Sequence, residues 1–425
     1  MNQRLVGALL VSFIVPAVSA PSAPQITFEA VSRDLANPDP AARLRAARLL
    51  KDAGYPEAAV PLAPLVTDPQ DDVQLEAIAA EVNIFLAERV VSRKRLGFVI
   101  EVRNQVLAEA AFAAGPLALG SRPVPAEVLT ALRAGAHDGT PRVGLESLYA
   151  FGVLAAEPGG ARRRDLLSTS GADLAAFVGA ADPAVRYAGV RVIGRVYARR
   201  PSDQAVDTAV GDAVIAALND RGRVVQVAAM EALGAMRYER AIQALDALFR
   251  HYGKGDLAEA ALDAVARIAH PGSAPLLAAA LASKSTPIRV IAAEGLTRIG
   301  DRAQTTAIET ALGAGGDDRA ALAKGFAAAR LSGGSIDPIV SALLKPRLRD
   351  QARAYLVDLV STRLSAFPVH AQDPDAAVRR DLADVLGLSD HPAALPLAET
   401  LLSDRDQQVA RAAERAVARL RATTM

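Results

Sequence analysis

One sentence is written into this chain again and again at a fixed interval, and that interval limits what the chain can fold into. "DPAVRYAGVRVIG" runs from Asp182 to Gly194, and "DPDAAVRRDLADVLG" from Asp373 to Gly387. The template is a small or apolar anchor, often followed by Arg or Gln, with apolar or small residues four and eight positions on. Val185, Gly189, Ile193 fit it, as do Val225, Ala229, Leu233 and Ile288, Ala292, Leu296. Val378, Leu382, Leu386 and Val409, Ala413, Val417 also fit. Looser copies start at Ala42, Val73, Val143, Leu257, Ala321 and Ala352. Ala42 to Val73, Leu257 to Ile288, Ala321 to Ala352 and Val378 to Val409 are each 31 residues, and Val225 to Leu257 is 32. Unrelated amphipathic helices would not hold so constant a spacing. The intervals of 40 (Val185 to Val225) and 26 (Ala352 to Val378) mark an insertion and a deletion in connecting segments.

Each copy opens in a similar way. Asp39-Pro40, Asp182-Pro183 and Asp373-Pro374, and Thr140-Pro141 and Thr286-Pro287, put a capping side chain before proline. The side-chain oxygen accepts a free N–H of the first turn, and proline at the first helical position loses no hydrogen bond. Gly194, Gly234, Gly300 and Gly387 are expected to stop their helices through a left-handed turn. Between the capped helices lie shorter apolar runs such as "PEAAVPLAPLV" (56–66) and "HPAALPLAETLLS" (391–403). The unit is therefore a helix pair, and one pair alone leaves a face bare that only the next pair can cover.

These Asp-Pro, Val-Arg and "ALG"-like elements resemble the HEAT-like repeat family, in particular the short bacterial form also found in phycobilisome chromophore lyases. The resemblance implies an all-α fold: a right-handed α-solenoid of stacked antiparallel helix pairs, a HEAT-like or armadillo-type superhelix with the capped helices on its concave side. It extends over residues 28–422 as a single solenoid of about eleven pairs. Residues 83–124 depart from the pattern, as either a degenerate repeat or an inserted helical arm. "AEPGGARRRDLLSTSGAD" (156–173) reads as a loop.

Composition agrees with helices and excludes several chemistries. The chain is 51% apolar but 4% aromatic, without Trp or Cys, and Arg far outnumbers Lys. Absence of Cys removes disulfides, thiolate metal sites and Cys nucleophiles. A net charge of +1 gives no global drive toward nucleic acid or anionic membrane. "MNQRLVGALLVSFIVPAVSA" has the grammar of a secretory signal over residues 1–20, with Ala17-Val18-Ser19 suited to cleavage before Ala20. Its apolar run is too short to span a bilayer at ease, and no later segment has the length. Export to the periplasm or medium follows.

Residues that could carry catalysis are sparse. The five His form no His-x₃-His or His-Glu pair, and neither a G-x-S-x-G elbow nor a phosphate-binding G-x-x-x-x-G-K occurs. His270 and His391 suit helix starts, and the acid pairs Asp71-Asp72, Asp317-Asp318 and Asp404/Asp406 suit caps. No catalytic, cofactor or metal residue is assigned. Arg186, Arg353 and Arg379, each next to an anchor, suit a structural ladder of Arg–Asp bonds, with Asp182 and Asp375 as nearby acids. Arg191, Arg195 and Arg199 form one stripe at helical spacing, where like charges repel by a few tenths of a kcal/mol. Acids on neighbouring helices or an anionic partner must neutralise them. Arg411, Arg415 and Arg419 form a second stripe. Together with Arg162, Arg163 and Arg164, the first stripe makes the candidate partner-binding patch. The expected function is an exported, non-catalytic scaffold that holds a protein or peptide along its inner curve. The alternatives are a lyase-type enzyme or subunit, and an anion binder using the Arg stripes.

Overall fold

In the computed structural model, residues 27–87, 107–120, 122–156, 159–200, 203–313 and 317–424 are described. The expected signal, residues 1–20, and residues 88–106 of the expected insert lie outside them. The described residues are helical, with one isolated antiparallel bridge, Leu86 to Leu119, and no strand. None of these helices is long and apolar enough to cross a membrane.

Eleven anchors lie in eleven helices that stack in series. These are α2 (Pro40–Ala53), α4 (Asp71–Phe85), α7 (Pro141–Leu154), α9 (Pro183–Val196), α11 (Arg223–Met236) and α13 (Asp256–Ile268). The series continues with α15 (Thr286–Ile299), α17 (Asp318–Ala327), α19 (Arg349–Arg363), α20 (Ala376–Leu388) and α22 (Gln407–Thr424). Outer partners precede most of them: α1 (Phe28–Asp34), α3 (Ala59–Leu62), α6 (Ala126–Gly135), α8 (Gly160–Val178) and α10 (Thr208–Ala216). The rest are α12 (Ile242–Tyr252), α14 (Ala274–Ala280), α16 (Thr305–Leu312), α18 (Asp337–Ala342) and α21 (Leu395–Thr400). Before α20 the outer helix shrinks to 3₁₀ turns over Leu364–Ala366 and Pro368–Gln372, which accounts for the short interval there. The remaining helix, α5 (Leu107–Ala113), belongs to the arm and not to the stack. The fold is an all-α solenoid.

Local chemistry sets the helix starts. Asp39 and Asp182 accept the N–H of Ala41 and Ala184, as the Asp-Pro reading requires. At the third site the cap moves two residues on. Asp375 accepts from Ala377, while Asp373 accepts from the N–H of Asp375 and shapes the turn before it. Thr140 caps without a side-chain bond to the helix, and Thr286 is already the first helical residue behind Ser285.

The glycines do something other than expected. Gly300 ends α15 in the left-handed conformation, with φ +87°. Gly194, Gly234 and Gly387 instead lie inside the last turn of their helices, where the next inner helix comes against them. A Cβ on Gly194 would sit 2.8 Å from Ala232 Cβ, one on Gly234 would sit 3.1 Å from Ala264 Cα, and one on Gly387 would sit 2.8 Å from Ala416 Cα. Gly295 meets Ala266 Cα at 3.0 Å in the same way. Inner helices thus approach backbone to backbone, whereas outer helices, apart from α8 with α10 and the turn Ala63–Thr67 with α6, pack on one another far less. Each pair becomes a wedge, and a stack of wedges curls tightly.

The curl closes. The last helix, α22, comes back onto α8. Asp390, in the turn after α20, binds Arg419 of α22 at 2.7 Å and Arg200, in the link after α9, at 3.0 Å. Arg200 is 190 positions away and 8% exposed, and burial pulls its guanidinium down to about 9. Only a paired carboxylate makes that burial tolerable. The open arc expected from the repeat count is therefore drawn into a ring.

Backbone contact at the glycines predicts a strong steric penalty. Gly387→Val is expected to destabilise the chain by about 1–3 kcal/mol. Gly139→Ala, at a glycine with no atom within 4 Å of the added carbon, is expected to shift stability by less than about 0.5 kcal/mol. Urea titration followed by helical circular dichroism distinguishes the two.

Candidate functional site

Arginine partners divide into three groups, each with its own job. The first is a ladder. Arg43, Arg186 and Arg379, each directly after its anchor, bind Asp68, Asp220 and Asp404 at 2.6 Å through Nε. Each also donates from Nη1 to two carbonyls of the link before its own helix. Arg289 repeats the link contacts, with the Ala311 carbonyl in place of the acid. Arg353 pairs with Asp384. The acids of the Val-Arg rungs lie in the following link, not at Asp182 and Asp375. Asp220 and Asp404 are held below the usual carboxylate range by the hydrogen bond from Arg186 or Arg379. Each rung ties a helix to the next unit, which is a structural role.

The second group holds the arm. After α4 the chain leaves at Leu86 and returns at Leu119, where Ala87 N–H donates to Ala118 O and Gly120 N–H to Phe85 O. Between those points α5 lies on the inner face of α7. The buried Glu146 carboxylate accepts the N–H of Ala108 at 2.8 Å. Phe112 packs where Gly152 leaves room: a Cβ there would be 2.8 Å from the ring. Arg191 pairs with Glu109 at 2.7 Å and lies over the rings of Phe112, Tyr149 and Tyr187. Arg195 stacks 3.8 Å from the Phe112 centroid. Burial, reinforced by Arg191, pulls Arg195 down to about 10. The charges of Arg191 and Arg195 are thus met from inside, by one acid and three aromatic faces, whereas Arg199 lies past the end of α9 at Val196 and off the stripe.

Arg162, Arg163 and Arg164 lie in helix α8, not in a loop. Leu166, Leu174 and Phe177 repeat at helical spacing and are buried there, a signal masked by the intervening Ser, Thr and Gly. Consecutive helical residues point about 100° apart, so the three do not form one patch. Arg163 is 1% exposed and binds Asp203 through two bonds, at 2.7 and 2.8 Å. Arg162 donates to the Val124 carbonyl, and Arg164 is exposed.

The third group faces the inner space of the ring. A cavity of about 540 Å³ is walled by Arg199, Arg237, Arg267, Arg298 and Arg353, together with Asp350 and Asp358. Residues 114–117 of the arm, Gly234, Ala235, Ala354, Val357 and Leu388 complete it. A second cavity of about 350 Å³ shares Asp350 and Arg353 and adds Arg349, Arg380, Arg411 and Arg415, with Asp381 and Asp384. No outer helix contributes a residue to either wall. The two adjoin at Asp350 and Arg353; taken together as one channel, their walls hold nine arginines and four aspartates. Of the expected patch only Arg199 belongs to it. Two of the remaining members carried a readable signal: Arg267 and Arg298 each stand ten positions after an anchor, Leu257 and Ile288, as do Arg195 at the arm and Arg419 at the seam after Val185 and Val409.

Other buried polar groups differ in how they are met. Glu294 accepts from Tyr355 Oη and from Gln351 at 2.9 Å, and lies 3.5 Å from Arg298, which binds Asp358 at 2.9 Å. Glu81 is fully buried in the core at an anchor-plus-eight position, and burial alone lifts it to about 9, so it is protonated at neutral pH. Nδ1 of His270 accepts the Gly272 N–H as a cap. Among the described residues no three His, Cys, Asp or Glu side chains gather as a metal site.

No protein-family profile matches the sequence, and no curated protein does. Among solved structures the chain is similar to an engineered protein, at 19% identity over 92% of this chain and 98% of that one, with a TM-score of 0.44. It is similar to Kap95p, described with RanGDP in nuclear import complex assembly, at 14% identity, 92% and 55% coverage and a TM-score of 0.40. The third is a designed armadillo repeat protein, at 17% identity, 63% and 97% coverage and a TM-score of 0.34. The chain spans about half the length of Kap95p. At these scores the likenesses place no partner and no activity on this chain.

Different partners predict different costs. Arg163→Ala leaves Asp203 buried without its cation and is expected to cost about 3–5 kcal/mol. Arg199→Gln and Arg237→Gln, which break no bond of their side chains among the described residues, are each expected to stay within about 0.5 kcal/mol of the parent. Thermal unfolding of the three variants checks this.

Proposed function

We propose that the chain is an exported, non-catalytic scaffold, and that it binds a protein or peptide partner through the channel inside its ring. The carrying observation is that the channel wall gathers nine arginines from inner helices and their links, against four aspartates. Such a wall offers planar, multiply donating cations and no assembled nucleophile, base and electrophile. Affinity in this reading comes from charge complementarity in a confined channel, not from shallow contacts along an open arc.

Export rests on the amino-terminal signal grammar, with the periplasm or the medium as destination. A single solenoid over residues 28–422 rests on the recurrence of the anchor template. The repeat type is read as the short HEAT-like form on its Asp-Pro and Val-Arg elements; that kinship concerns the repeat and brings no lyase chemistry with it.

The test is affinity capture from an envelope extract with the mature chain, comparing the parent with the double variant Arg199→Glu, Arg237→Glu. Loss of the captured partner, with helical content retained, is the expected result. Capture that survives both reversals would exclude the channel as the binding surface.

A further inference from the structure

The channel arginines do not all have partners. Arg267 pairs with Asp263, Arg298 with Glu294 and Asp358, Arg349 with Asp381, and both Arg353 and Arg415 with Asp384. Among the described residues the other four form no ion pair, although Arg380 lies near enough to Asp384 for its charge to favour that carboxylate. Arg199, Arg237 and Arg411 make no side-chain hydrogen bond there, and Arg380 reaches only Gln408 Oε1, at 3.1 Å. These four fall into two sets. Arg199 and Arg237 line the larger cavity, and Arg380 and Arg411 the smaller. Asp350 and Arg353 stand on both walls, between the sets.

Helix dipoles explain one set only. Arg237 follows α11 directly and Arg199 lies just past α9, where a cation complements the negative end of the helix by about 0.3–1 kcal/mol. Arg380 and Arg411 are each the fifth residue of their helices, α20 and α22, near the positive end. A cation there gains nothing from the dipole and shares the cavity with Arg349, Arg353 and Arg415, against Asp350, Asp381 and Asp384. Either set alone could hold one compact anion. Two sets along one channel match anionic groups spaced along a chain.

We propose that the channel recognises a run of carboxylates, an Asp- or Glu-rich peptide segment that spans both cavities. The rest of the wall selects a peptide over a phosphate chain. The larger cavity also presents Leu117, Val357 and Leu388, which suit aliphatic carbons between the charges. Four aspartates in the wall penalise a dense, unbroken row of phosphates more than carboxylates set apart along a backbone. The guanidinium fork of the nine wall arginines matches carboxylate and phosphate alike, so the selection rests on these apolar and acidic wall residues.

The inference rests on the channel being the binding surface, and its test is separable from the capture experiment. The purified chain is titrated with a fluorescent octaglutamate, and unlabelled tripolyphosphate is added as competitor. Octaglutamate is expected to bind, with affinity falling as salt rises. Roughly tenfold losses are expected from Arg199→Gln, Arg237→Gln and, separately, from Arg380→Gln, Arg411→Gln. Tripolyphosphate at equal concentration is expected to displace little. Circular dichroism confirms that both double variants stay folded. Loss from one set alone would reduce the site to a compact anion pocket and overturn the proposal. So would efficient displacement by tripolyphosphate, or no binding of octaglutamate at all. Octaglutamate binding without capture of any extract protein would sustain the inference and sink the scaffold reading; a captured partner with no octaglutamate binding would do the reverse.

Discussion

Backbone-to-backbone contact between successive inner helices governs the shape of this molecule. At Gly194, Gly234, Gly295 and Gly387 the neighbouring helix arrives where a side chain would otherwise stand. Each contact draws the inner helices together, while most outer helices pack on one another less. Curvature accumulates until α22 meets α8, and the clasp of Arg200, Asp390 and Arg419 fastens the seam. Without that curvature the arginines would lie along an open arc, spread over separate surfaces. With it, they face one another.

Closure also explains why arginines of similar sequence setting have different fates. Of those beside the anchors, Arg43, Arg186 and Arg379 look toward the next link and find an aspartate, while Arg289 finds the Ala311 carbonyl. Arg191 and Arg195 look into the curve and meet α5, whose Glu109 and Phe112 satisfy them. Farther along, the inner faces line the channel, where Arg199, Arg237 and Arg411 form no side-chain bond among the described residues and Arg380 reaches only Gln408. Packing a ring of like charges is costly, and the aspartates of the wall offset only part of it.

Much of the helical architecture could be read from periodicity, because a 31-residue interval with recurring caps suits few folds besides a stack of helix pairs. The Val-Arg ladder was legible too, although its acids come from the next link, a choice made by how units stack. Gly194 and Gly387 could be found but not understood: a glycine at a helix end and a glycine at a helix crossing look alike in one dimension. Helix α8 was hidden because Ser, Thr and Gly dilute its apolar stripe and Arg163 occupies one of its buried positions. The channel was least visible. It depends on curvature, a sum of small angles that no single repeat encodes, and on an arm that the repeat pattern does not contain.

Ring closure can be measured directly, because the chain has no native cysteine. Ala161 in α8 and Ala422 in α22 line the same cleft at the seam. Spin labels on Ala161→Cys and Ala422→Cys should give one narrow, short distance distribution, consistent with helices packed roughly 8–10 Å apart. A broad distribution centred several times farther away would show an open superhelix, and the channel would have no walls.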